Sequence, residues 1–392
     1  VGVPVLLLKI VPAFAYNLLV PTVFALTGMG AFSVAYNVIG AWRNREGDRH
    51  KQGNRTGNPW VAGIAALMLC VVLGNLDVPR VILVEGFAQL GGYSRPEGLQ
   101  DYLMDQYQAE HAQAATGADY TRIVERAENA NIIDNVRYEW HAFSHPWSSI
   151  FKGVPAALSG QPLPIGSNRW YWAPTRIMNE TPGVGGNAIN EMPAFTFIYG
   201  DLHAHMINMP IMLFVMAFIL QEVIAARRDP RRFAGMALAV ALGAASVGMM
   251  RAVNTWDYPT FMIFGIVGLG YAWWQRWRTL SRDAILHMLI YVGGFITLAI
   301  WSVAPYMAWY ASIYNSVQLW EFGKTPFWSY FHIYGLFLFL IVSLFAWDTA
   351  RWLRETHVRS LTGQGYWLLA GAGIIAVILL LSLIAAAIEY QV

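Results

Sequence analysis

One short stretch concentrates acid–base and metal-binding side chains: Glu191-Met-Pro-Ala-Phe-Thr-Phe-Ile-Tyr-Gly200-Asp201-Leu-His203-Ala-His205-Met-Ile-Asn208-Met-Pro210. A carboxylate with two imidazoles suits a divalent ion such as Zn²⁺ or Mn²⁺. It suits general-base chemistry or phosphate contact equally well. On a helix His203 and His205 would diverge by about 200°. In a turn just before a helix they would share a side, and Gly200 permits such a turn. Asp201, His203 and His205 are therefore candidate metal ligands, and Asp201, His203 and Glu191 candidate catalytic groups. The competing structural reading has Asp201 capping the next helix, with the histidines bonded to backbone or lipid headgroups.

Two further clusters carry related chemistry. Arg251-Ala-Val-Asn254-Thr-Trp256-Asp257-Tyr-Pro makes up a whole turn between two apolar runs. Arg251 has the geometry to hold a phosphate bidentately, while an Arg251–Asp257 ion pair with Asn254 capping a helix end is the structural alternative. In the second cluster, His141 and His145 stand four apart before Pro146, which ends any helix there. They precede Asn-Arg169-Trp170-Tyr-Trp172-Ala-Pro-Thr-Arg176. Aromatics beside arginines suit sugar stacking and phosphate binding, and they suit anchoring at a membrane surface equally well. His205, Arg176, Arg251, Asn254, Trp256, Asp257, Trp170 and Trp172 are thus the candidate substrate contacts.

These clusters need an apolar framework to position them. Of 392 residues, 56% are hydrophobic and only 13% charged, about half the charge of a soluble domain. Apolar runs approach the ~20 residues that cross a bilayer. Eight spans are expected, near 12–42, 58–77, 206–225, 233–252, 259–275, 284–308, 330–350 and 366–389. The expected class is an all-α integral membrane protein with one long loop. Its parts would be 1–77 with the first two spans, 78–205 as the loop with surface helices, and 206–392 with six spans.

Fifteen of the 26 Lys and Arg residues fall in four alternate loops, after the first, third, fifth and seventh spans. Short cytoplasmic loops hold the positive excess, so both ends of the chain and the long loop are expected outside a cell membrane. Within the loop, Leu99, Tyr102, Leu103 and Tyr107 recur at helical spacing, predicting surface helices around 97–130. The Pro-, Gly- and Trp-rich stretch 144–190 shows no periodicity and is expected to be irregular but ordered against the membrane.

A single Cys70 excludes an intrachain disulfide and any thiolate cluster. No Walker A, Rossmann glycine fingerprint, Gly-x-Ser-x-Gly or His-Glu-x-x-His segment occurs. The spans hold few ionisable residues, which argues against a proton pump. No basic stretch has the aromatic interleaving of a nucleic-acid site. The chain starts at Val1 with no signal peptide in view and is expected to be part of a longer protein.

Asn190-Glu-Met-Pro-Ala-Phe-Thr-Phe-Ile-Tyr-Gly-Asp-Leu-His-Ala-His-Met resembles the archaeal and Chloroflexi "YYY" family of multi-pass membrane proteins. So do Asn254-Thr-Trp-Asp-Tyr-Pro-Thr, Trp170-Tyr-Trp-Ala-Pro-Thr-Arg176 and the opening Ala15-Tyr-Asn-Leu-Leu-Val-Pro-Thr. The resemblance runs over most of the chain and implies a GT-C-like fold. Such glycosyltransferases use a polyprenyl-phosphate-linked sugar on the outer face and keep an acidic catalytic residue in the first outer loop. The family's tri-tyrosine motif, with its acidic and Arg-Pro neighbours, would lie upstream of Val1. A GT-C-like glycosyltransferase is accordingly one expectation. A non-catalytic subunit that scaffolds other membrane subunits is the second, and a metal-dependent hydrolase at the membrane surface a third.

Overall fold

The computed structural model describes residues 2–47, 57–94, 96, 98–111, 116–128, 132–166, 168–177, 189–226, 233–310 and 327–355. Every regular element among them is helical. In chain order the principal helices are α1 (Pro12–Gly47), α2 (Pro59–Val72), α3 (Asp77–Ala88), α4 (Leu99–His111) and α5 (Gly117–Glu128). They continue with α6 (Ile132–Ser144), α7 (Trp147–Leu158), α8 (Pro193–Tyr199), α9 (Ala204–Ala225) and α10 (Phe233–Val253). The last three are α11 (Asp257–Trp277), α12 (Arg282–Met307) and α13 (Phe327–Glu355).

Five of these contain stretches long and apolar enough to cross a membrane: Pro12–Ala41, Ala204–Ala225, Gly235–Val253, Arg282–Met307 and Ile333–Trp352. The pair α2 and α3 adds a sixth if it is one interrupted span. The expected second span, 58–77, is thus broken: Leu73 is extended after α2, and the chain turns helical again only at Asp77. The expected fifth span forms as helix α11 but falls outside the apolar set, because tyrosines, tryptophans, Gln275 and Arg276 dilute it. The expected span at 366–389 lies outside the described residues, as do the basic positions Arg227, Arg228, Arg231 and Arg232.

The packing divides into two units, Val1–Gly74 with Glu191–Gly323 and Asn75–Asn190 with Lys324–Val392. In the first, α9 to α12 enclose an apolar core of Val215, Phe218, Ile219, Val247, Met250, Phe261, Leu269 and Phe295. Several polar side chains of this unit are bonded within it, as hydrocarbon favours, while among the described residues Asn208 Oδ1, Trp277 Nε1 and His287 Nδ1 are buried without a hydrogen bond. The Thr22 and Thr27 hydroxyls donate to the carbonyls of Leu18 and Val23, and the Tyr291 hydroxyl donates to the buried Glu222 carboxylate at 2.6 Å. Asn58 starts α2 by accepting from the Trp60 N–H, with Pro59 in the first turn, where its missing N–H costs nothing.

In the second unit, the expected surface helices appear as α4 and α5. Tyr102 and Leu103 are buried with Ile123 and Tyr138 of α5 and α6, and Leu99 and Tyr107 pack against them. Arg126 of α5 bonds Asp134 of α6 at 2.6 Å. The first part of the stretch 144–190 is not irregular as expected, since it forms α7 over Trp147–Leu158, while 159–166 has no regular element. Gly153 and Pro155 inside this helix hide its periodicity, and packing supplies the reason for the glycine. A Cβ on Gly153 would overlap the Phe87 carbonyl oxygen, and one on Gly91 would overlap that of Ser149. Backbone therefore meets backbone where α7 crosses the end of α3.

His141 near the end of α6 stacks on His145 at 3.8 Å between ring centroids and lies 5.0 Å from the Tyr102 ring. Burial, reinforced by the neighbouring His145, pushes its pKa below the ordinary imidazole value, and Asp105 offsets this in part.

Two outcomes follow from this packing. Gly153→Val should cost about 1–3 kcal/mol, because α7 and α3 must separate. Gly235→Ala, at a position with open space around it, should leave stability unchanged or slightly raised. Thermal unfolding in detergent, followed by tryptophan fluorescence, separates the two. A group whose folded pKa is depressed contributes its stability above the unfolded value, ~6.5 for histidine, and loses it as pH falls through the folded value. Unfolding temperature should therefore fall on acidification below about pH 6.5, and His141→Phe should flatten that dependence.

Candidate functional site

The segment bearing the candidate catalytic groups is shaped by turn chemistry. Pro193 opens α8 after an extended Met192, and α8 ends on Gly200 in the left-handed conformation at φ 73°. The N–H groups of Gly200 and Asp201 both donate to the Thr196 carbonyl, closing the helix end. Three residues later α9 begins, with His203 as an extended first residue whose side chain makes no cap bond. Tyr16 of α1 holds this crossing: its hydroxyl donates to the Gly200 carbonyl at 2.9 Å and accepts from the Leu202 N–H at 3.1 Å.

The turn produces two imidazole–carboxylate pairs. His203 Nδ1 lies 2.8 Å from Asp201 Oδ2, and His205 Nε2 lies 3.2 Å from Glu191 Oε2. The two rings are stacked, with centroids 5.5 Å apart and planes 26° from parallel. The expected shared side for the histidines is thus realised. Asp201 does not cap α9, because its carboxylate is turned back to His203. The His203 and His205 side chains are about half exposed. Each carboxylate fixes an N–H on the nitrogen facing it, leaving His203 Nε2 and His205 Nδ1 as the nitrogens for proton exchange. Thr196 Oγ1 lies 3.4 Å from Glu191 Oε2 and orients that carboxylate.

Asn208 sits three residues beyond His205 on α9, so the two share a helix face. It is fully buried, and its Nδ2 donates to Asp257 Oδ2 at 2.6 Å, an oxygen that also accepts from Asn254 Nδ2 at 2.8 Å. Asp257 lies in the first turn of α11, where the helix dipole favours a negative charge. Arg251 does not form the expected pair with Asp257 among the described contacts. Its Nε lies 3.2 Å from Met307 Sδ, and its guanidinium lies 5.3 Å from the Tyr258 ring centroid. Asp257 is satisfied by amides instead, which hold the carboxylate without a second charge. Trp256 in the same turn is largely exposed.

Trp170, Trp172 and Arg176 belong to the second unit. The Arg176 guanidinium stacks 4.5 Å from the Trp172 ring centroid and donates to Thr175 Oγ1 at 2.6 Å. The Pro174 carbonyl beside them accepts from the amides of both Asn75 and Asn190. The sequence reading missed a chain of four charges in this unit. Arg80 bonds Asp77 and Glu85, and Glu85 accepts also from Arg169. Asp77 and Glu85 are almost fully buried. The signal was present in Asp77-Val-Pro-Arg80-Val-Ile-Leu-Val-Glu85, where charges at helical spacing interrupt an apolar run.

Among the described residues no three His, Cys, Asp or Glu side chains gather as a metal-binding group. The expected set of Asp201, His203 and His205 is divided, because His205 turns to Glu191 rather than joining the other two. Each pair offers two donors, short of the three or four that a protein zinc site supplies.

No curated protein and no solved structure matches the chain. A family described as "Uncharacterized membrane protein (DUF2298)" matches residues 1–391. With that match covering nearly the whole length and a fold built from multiple apolar helices, the chain belongs to the DUF2298 family of membrane proteins.

Proposed function

We propose that this protein is a GT-C-like membrane glycosyltransferase that takes a sugar from a polyprenyl-phosphate carrier on the extracytoplasmic face of a cell membrane. The observation that carries this reading is the pair of imidazole–carboxylate dyads, their imidazoles half exposed, at the mouth of the apolar helix α9. A transferase needs a base for the acceptor and a hydrogen-bond donor for the departing phosphate. Neutral His203, its Nδ1 held by Asp201, supplies the base, and His205, its Nε2 held by Glu191, supplies the donor when Nδ1 also carries a proton.

In this mechanism His203 Nε2 takes the proton from an acceptor hydroxyl while Asp201 stabilises the imidazolium that forms. The acceptor oxygen bonds to the anomeric carbon as the bond from that carbon to the phosphate oxygen breaks. The electron pair leaves with the polyprenyl phosphate, whose growing charge is met by His205, oriented by Glu191. Asn254, Asp257, Trp256 and Arg251, on the turn that Asn208 ties to α9, are assigned to substrate binding. Lipid-linked substrates also fit a chain whose apolar helices must already sit in a bilayer.

Transfer of radiolabelled sugar from a polyprenyl-phosphate donor tests the assignment. Asp201→Asn and His203→Ala should each lower kcat by about 10²–10⁴-fold, the usual contribution of a general base. Unchanged transfer in both variants overturns these roles. Absence of transfer in the unsubstituted protein, together with stoichiometric co-purification of other membrane subunits in mild detergent, would favour the scaffolding role.

A further inference from the structure

Helices α6 and α7 present an apolar ridge that nothing in the proposed transferase uses. On α6, Ile133, Val136, Trp140 and Phe143 are exposed and recur at helical spacing. On α7, Trp147, Phe151 and Leu158 do the same, and Phe151 and Leu158 are 75% and 84% exposed. The two stripes join across the His145–Pro146 break through an aromatic chain. Trp140 meets Phe143 at 5.9 Å between ring centroids, and Phe143 meets Trp147 edge-on at 5.7 Å.

We infer that this ridge lies in the lipid bilayer interface, so that α6 and α7 form a surface-bound pair rather than spans or a water-facing cap. Three observations select lipid as the occupant. First, the opposite face of α7, with Ile150 and Gly153 buried, is pressed backbone-to-backbone on the segment that ends the apolar helix α3. Second, the same unit carries a helix of membrane length. Leu76, just before α3, reaches Gly335 of α13, whose membrane-length stretch Ile333–Trp352 leaves Phe339 and Phe345 uncovered. Third, the side-chain types fit the boundary layer. Tryptophans flank the junction, phenylalanine and leucine project beyond them, and exposed Arg137 and Lys152 border the stripes where headgroup phosphates would meet them.

Cys70 is the only cysteine, so Cys70→Ala gives a background for single nitroxide labels. Phe143→Cys, Phe151→Cys and Leu158→Cys, with Arg122→Cys on exposed α5 as the aqueous reference, would be labelled in the full chain. The protein would then be reconstituted in phosphatidylcholine–phosphatidylglycerol vesicles. Collisions with oxygen should exceed those with a water-soluble nickel chelate several-fold at 143, 151 and 158, and the order should reverse at 122. Nickel-chelate dominance along the ridge overturns the inference. Protection from both reagents overturns it too and assigns the ridge to a protein neighbour. In the unsubstituted protein, a lipid-soluble diazirine should label the segment 140–158, and failure to label it is a second way for the inference to fall.

Discussion

A hydroxyl, amide or carboxylate in hydrocarbon has no water to turn to, so it must be bonded within the chain or remain at a cost of several kcal/mol. That constraint explains most of the polar geometry in this protein. Thr22 and Thr27 return their hydroxyls to carbonyls of their own helix, and Glu222 takes a hydrogen bond from Tyr291 inside the apolar core. Asp77 and Glu85, nearly buried on α3, are held by Arg80 and Arg169. Removing Arg80 would strand Asp77, which is costlier than never having placed the pair there, whereas Glu85 is gripped by both arginines.

Against that background the two histidine dyads stand apart. Their histidines are about half exposed, although Glu191 is only 22% exposed, and pairs this near the surface contribute only ~0–1 kcal/mol. Their arrangement therefore owes little to stability. What holds them is the surrounding backbone: the left-handed Gly200, the doubly used Thr196 carbonyl and the Tyr16 hydroxyl that bonds both sides of the turn. A turn fixed this firmly, displaying groups that add little to folding, is what the proposed transfer reaction requires of its base.

Membrane character was legible from composition alone, because apolar runs of about 20 residues match the thickness of a bilayer and outrun the helices of a water-soluble core. The helices α4 and α5 were legible from the spacing of Leu99, Tyr102, Leu103 and Tyr107. The dyad segment was legible in part, since Gly200 announced its turn. Which carboxylate would meet which imidazole was not, because Glu191 lies on the far side of α8 in sequence and arrives only through the fold. Helix α7 was hidden for a related reason. Gly153 is chosen for an approach to α3 that no local pattern encodes, and Pro155 reads as a helix breaker. Asp77 was counted as the end of a span, and its bond to Arg80, three residues on, became visible only once the chain was seen to break at Leu73.

Helix α9 shows how the mouth of the bundle can be both firm and locally loose. Pro210 within it has no N–H, so the carbonyl of Met206 loses its usual partner and the first turns lack one bond of their ladder. Support must come from outside the helix, and it enters at two levels. Tyr16 binds the turn before α9, and Asn208 is tied one turn further in to Asp257, which Asn254 also grips. His205 lies between these two supports, on the face it shares with Asn208. Small movements of α1 or α11 against α9 would thus be felt first at the histidines. The deeper core around Val215, Phe218 and Phe295 would be spared, because its packing does not depend on those bonds.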